Sequence, residues 1–127
     1  MATPLDRVQV ESGTGTGFTA VTTLVSAVAN LPIRRVVFEV HNSGSNALTD
    51  LLLQVQAHPT ADWQTLVSST AWATTTKCVV AVVGTLQTLA WAAKGFAHVE
   101  TGPVYAVRVR ATAGTATTAT VRMQLSN

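Results

Sequence analysis

In Arg35-Val36-Val37-Phe38-Glu39-Val40-His41, every second residue belongs to one apolar face: Val36, Phe38 and Val40. Arg35, Glu39 and His41 stand on the other. Successive side chains of a strand point to opposite faces, so this period of two, rich in β-branched and aromatic residues, predicts a half-buried strand. The pattern recurs on both sides of this run. Val8 and Val10 alternate with Arg7, Gln9 and Glu11, and Leu51, Leu53 and Val55 alternate with Leu52, Gln54 and Gln56. Tyr105, Val107 and Val109 alternate with Ala106, Arg108 and Arg110, and Val121, Met123 and Leu125 oppose Arg122 and Gln124. Lys77 to Val83 is apolar on both faces, as in a strand covered on both sides.

Turn residues separate these runs at short intervals: Asn42-Ser43-Gly44-Ser45-Asn46, His58-Pro59, Gly84, Gly95, Gly102-Pro103 and Gly114. The run Gly13-Thr14-Gly15-Thr16-Gly17 reads as a flexible loop. About eight short strands with this punctuation predict an all-β fold, an antiparallel β-sandwich of jelly-roll-like type. Two segments fit helix or strand. Ala20 to Leu31 carries Val21, Leu24, Val25, Val28 and Leu31 at helical spacing, and Leu86 to Ala93 reads either way. Strand is the expectation for both, because Thr and Val dominate the first and glycine flanks the second. The 127 residues make one domain. Residues 1–17 are expected to be an N-terminal arm with its Gly/Thr loop, and residues 18–127 the β-sandwich.

Eight Lys/Arg and six Asp/Glu make up only 11% of the chain, against about a quarter in an ordinary soluble domain. Thr, Ser, Ala, Asn and Gln must therefore supply most of the surface. Small side chains lose little rotamer entropy when immobilised, which suits a subunit that buries its exterior against other proteins. A net charge of +2 is too small to point to nucleic acid. The apolar runs break well short of the roughly 20 residues of a membrane helix, so no membrane partner is expected. The opening residues lack a basic and apolar leader, and synthesis in a cytoplasm is the expectation. The single Cys78 allows no internal disulfide or cysteine zinc site and reads as a small buried apolar residue.

No reaction chemistry emerges from the spacings. His41, His58 and His98 lack metal-motif spacing, and Phe18 stands where a dinucleotide fingerprint needs its third glycine. Neither a Walker sequence nor a G-x-S-x-G elbow occurs, and no catalytic residue, cofactor or metal is expected. Trp63, Trp72 and Trp91, with Tyr105, are candidates for a sugar-stacking platform. Trp63, between Asp62 and Gln64, has the best context for it, whereas Trp72 and Trp91 sit among Ala and Thr and suit a core or interface anchor. The last two strands are expected to form a hairpin whose core faces coincide, so Val107 and Val109 lie beside Val121 and Met123 and not beside Arg122. Arg108, Arg110 and Arg122 then share one face, as a docking patch for an acidic surface, as solvated groups, or in a salt bridge to Glu39 or Glu100.

Three stretches carry a resemblance: Val36 to Thr49, Gln54 to Pro59 followed by Trp63 to Leu66, and Tyr105 to Gly114 with its return strand. Their order resembles small β-sandwich virion proteins of tailed bacteriophages, particularly capsid decoration (cement) proteins, over Arg34 to Asn127. The resemblance implies a non-enzymatic homotrimer on the capsid surface of the virion, made in the bacterial host cytoplasm, that clamps the major capsid protein. Leu5, Arg7, Trp72, Trp91 and Phe96 are then expected at assembly contacts, with Arg108, Arg110 and Arg122 facing an acidic partner. The alternatives are a tail, neck or fibre-base component and a carbohydrate-binding sandwich for host attachment.

Overall fold

The computed structural model describes residues 8–30, 33–46, 48–69, 79–80, 85–86 and 94–126, with backbone alone at 67–69, 79–80, 85–86 and 94–100. Among the described residues ten strands appear: β1 (Val8–Phe18), β2 (Thr22–Val28), β3 (Arg35–Asn42), β4 (Leu48–Gln56), β5 (Trp63–Ser69), β6 (Val79–Val80), β7 (Thr85–Leu86), β8 (Lys94–Glu100), β9 (Ala106–Ala113) and β10 (Thr117–Ser126). The first sheet runs β1-β10-β3-β8-β6 and the second β2-β9-β4-β5-β7. Pairs among the eight longer strands are antiparallel, while β6 and β7 add two-residue parallel contacts at the edges. In each sheet, early and late strands interleave, which is the double Greek key of a jelly roll. The expected antiparallel sandwich is therefore the fold. Thr22–Val28 is a strand as expected; Cys78 and most of Leu86 to Ala93 lie outside the described residues.

The core lies where the two sets of alternating residues meet. From β3 come Val36, Phe38 and Val40, opposite Leu125, Met123 and Val121 of β10 in register. The second sheet contributes Val107 and Val109 of β9 and Leu51 and Leu53 of β4, and all ten are at most 1% exposed. At one end, Thr117 Oγ1 donates to Asn42 Oδ1 at 2.8 Å, and Asn42 Nδ2 donates to the Asn46 carbonyl at 2.8 Å. This satisfies the polar atoms that the Asx-rich turn carries inward.

Two expectations fail. The last two strands are not a hairpin. β9 pairs with β2 and β4, whereas β10 pairs with β1 and β3, so the link between them crosses from one sheet to the other. Val107 and Val109 meet the β10 residues across the core, and Arg122 is separated from Arg108 and Arg110 by the thickness of the sandwich. The alternation of each strand is the same in either topology, so it cannot distinguish them.

The Gly/Thr run is likewise no loop. It belongs to β1, paired with β10 from Val8↔Ser126 to Gly15↔Ala119. A Cβ on Gly13 would collide with the Leu24 carbonyl of β2, and one on Gly15 would lie 2.6 Å from Leu24 Cδ2. These glycines let the edge strands of the two sheets close on each other. Gly17, with φ +57°, sits in a bulge between Gly15 and Phe18, after which Phe18 turns into the core.

The same closure inverts the valine and glutamine pattern. Val8 and Val10 are 51% and 68% exposed, while Gln9 is 8% exposed. The inward side of β1 meets the backbone at the end of β2, where an amide serves better than a methyl. Gln9 Nε2 donates to the Val28 carbonyl at 2.9 Å, and Asn30 N donates to Gln9 Oε1 at 3.0 Å. The side chain thus acts as one more rung of ladder between the sheets. Gln9→Ala removes both bonds and is expected to cost about 2 kcal/mol, at about 1 kcal/mol per hydrogen bond. Val10→Ala should change stability by less than about 0.5 kcal/mol. Urea unfolding of the two variants checks the assignment, and equal losses would refute it.

Candidate functional site

The outer face of the second sheet gathers the polar chemistry. On β9, Arg108 and Arg110 are two residues apart and project to the same side. On β4, Gln54 stands opposite Arg108 and Leu52 opposite Arg110, and on β5, Thr65 stands opposite Gln54. Ser26 and Thr23 of β2 occupy the other flank. The register therefore places no acid directly beside either arginine. Asp50 is one row further on, opposite Thr112.

Arg108 is held in place. Its Nε donates to Gln54 Oε1 at 2.7 Å, and Gln54 Nε2 donates in turn to Thr65 Oγ1 at 3.1 Å. Its guanidinium carbon lies 4.3 Å from the ring centre of Trp63, a cation–π contact worth about 0.5–1 kcal/mol at an exposed site. Partial burial, followed by the neighbouring charge of Arg110, holds the Arg108 guanidinium below its ordinary pKa. Arg110 is less well provided for: its Nε is shielded from solvent and has no hydrogen-bond acceptor among the described residues. A shielded polar atom without a partner costs about 1–3 kcal/mol, which an arriving acceptor can recover if the side chain swings out to meet it. The arrangement can bind an anion.

Arg122 is situated differently. On the outer face of the first sheet it stands opposite Glu39 in register, and with Glu39, His41 and Thr120 it lines a hollow of about 120 Å³. That is well below the roughly 300–1,000 Å³ of a ligand pocket. Thr14 and Thr120 hydroxyls share a 2.9 Å hydrogen bond on the same face. Of the other expected contact residues, Phe96 lies in β8, paired with Glu39 in the backbone register. Leu5, Arg7, Trp72 and Trp91 lie outside the described residues. Trp63, the best sugar-stacking candidate, is half-buried and has Arg108 over its ring.

Sequence reasoning paired Arg108 with Arg110 but missed Gln54, Thr65 and Trp63 as the support of Arg108. Alternation puts Gln54 on the outer face of β4, but only the β4–β9 and β4–β5 registers bring it between Arg108 and Thr65. Among the described residues, no three His, Cys, Asp or Glu side chains converge to hold a metal ion, and no helix is long and apolar enough to cross a membrane.

No protein-family profile and no curated protein matches this sequence. Solved structures share its fold. The K2 cleaved adhesin domain of Lys-gingipain superposes with a TM-score of 0.57 at 7% identity, covering 90% of this chain and 70% of that one. The SPBc2 prophage-derived protein YomS gives 0.53 at 9% identity, over 93% and 96% of the two chains. PirA gives 0.52 at 14% identity, over 91% and 92%. At these identities the likeness is one of fold.

Proposed function

We propose that this chain is a non-enzymatic virion structural protein that binds and stabilises an assembled phage capsid, docking through the outer face of its second sheet. The observation that carries the proposal is the Arg108–Arg110 pair, positively charged, with Arg108 braced by Trp63 and Gln54, and without an acid beside it in register. A prophage-derived protein with the same fold over nearly the full length of both chains supports the setting. So does a surface with few charges, which is cheap to desolvate over a large area. Contacts made only to the assembled lattice lower its free energy relative to ruptured or dissociated states. A trimer, the oligomer the phage resemblance implies, multiplies weak contacts by avidity.

The test mixes the purified protein with undecorated expanded shells. It should co-sediment, saturate at a fixed number of copies per shell and raise the rupture temperature. Replacing Arg108 and Arg110 together by Glu should weaken the binding by about tenfold or more, because each contact turns repulsive. A protein that neither sediments with shells nor raises their rupture temperature is not a decoration protein. Glycan binding without capsids, lost in Trp63→Ala, would instead favour the carbohydrate-binding role.

A further inference from the structure

We infer that Arg108 and Arg110 form a two-point site for an extended acidic protein segment whose carboxylates fall at alternate positions. This deepens the docking reading by naming what the face recognises. Two residues apart on a strand, the arginines are about 6.7 Å apart along β9, and an extended chain with acids at every second position has the same repeat. One carboxylate meets the free end of the Arg108 guanidinium, whose Nε is already committed to Gln54. The other meets Arg110, whose Nε has no acceptor among the described residues. Arginine suits this role better than lysine, because its planar fork takes a carboxylate through two parallel hydrogen bonds.

The surroundings favour protein over nucleic acid. The flanking Ser26, Thr23, Gln54 and Thr65 are small or neutral, and offer hydrogen bonds to a peptide without adding charge. Two cations release too few counterions to hold a polyphosphate strand firmly, and Arg108 takes one face of the Trp63 ring on which a base would stack. Asp50, one row beyond Arg110, bounds the site on that side and repels a segment that runs past it.

The experiment follows the arginine Nε–Hε signals of the intact protein by NMR, during titration with a short capped peptide of alternating Glu and Thr. The signals of Arg108 and Arg110 should shift and saturate while that of Arg122 stays in place. A peptide of the same composition with its acids adjacent should bind about fivefold or more weakly, since only one carboxylate then reaches the face. Asp50→Asn should tighten binding and Arg110→Lys should weaken it, with Tm checked to show that both variants fold. Absence of any shift at about 10 mM peptide, a level that would reveal even millimolar affinity, overturns the inference. So does an equal shift at Arg122, or tighter binding of oligo-dT than of the peptide. The two readings separate cleanly. If the Arg108/Arg110 double variant loses shells but the wild-type protein ignores the peptide, docking stands and the acidic segment falls. If the peptide binds and shells do not, the reverse holds.

Discussion

Gly13→Ala should lower the unfolding free energy by about 3 kcal/mol, the upper part of the range for overpacking a tight site. The new methyl would collide with the Leu24 carbonyl, a backbone atom that cannot rotate away. β1 must then lift from β2, and the lift strains the Gln9 bonds to Val28 and Asn30 at the same edge. Gly17→Ala is the informative comparison. There a Cβ meets nothing within 4 Å, and the penalty comes only from φ +57°. That left-handed conformation costs a non-glycine residue about 1–2 kcal/mol. Urea unfolding of both variants gives the contrast. A flexible Gly/Thr loop would tolerate both substitutions almost equally, so a Gly13→Ala loss no larger than that of Gly17→Ala would refute the close approach of the two sheet edges.

Phe38→Ala should cost about 3–5 kcal/mol, the loss expected when a buried aromatic leaves a cavity. Phe38 is fully buried in β3, the middle strand of the first sheet, opposite Met123 on one side and Ala97 on the other in register. Its neighbours are strands paired on both sides, so the site has little freedom to collapse into the space. At about 4 °C per kcal/mol for a chain of this size, Tm should fall by about 12–20 °C in calorimetry. Val37→Ala, on the outer face of the same strand and only half-buried, should cost about 1 kcal/mol or less. Comparable losses at the two positions would mean that the two faces of β3 are not divided between core and solvent.

The arginines show where sequence reading reaches its limit. Arg108 and Arg110 lie on one strand, and a period of two is enough to place them on one face. Their common face with Arg122 depended on a neighbour relation between β9 and β10, and no local pattern encodes that. The valines of β1 show a related limit. Alternation identifies two faces but does not say which one meets the core. At the edge of the sandwich, the inward face of β1 meets the backbone of β2, and the residues suited to that are Gln9, Gly13 and Gly15.

By itself, the sequence determined the strand character of the chain, its approximate strand count, and the buried faces of β3, β4, β9 and β10. All of these follow from side chains alternating along a single run. The tertiary structure alone decided that β9 lies between β2 and β4, that β10 lies between β1 and β3, and that Gln54 and Trp63 brace Arg108. Strand neighbours are chosen by contacts between residues as far apart as Val8 and Ser126, where the free energy of packing two faces together selects among pairings that satisfy the local pattern equally well.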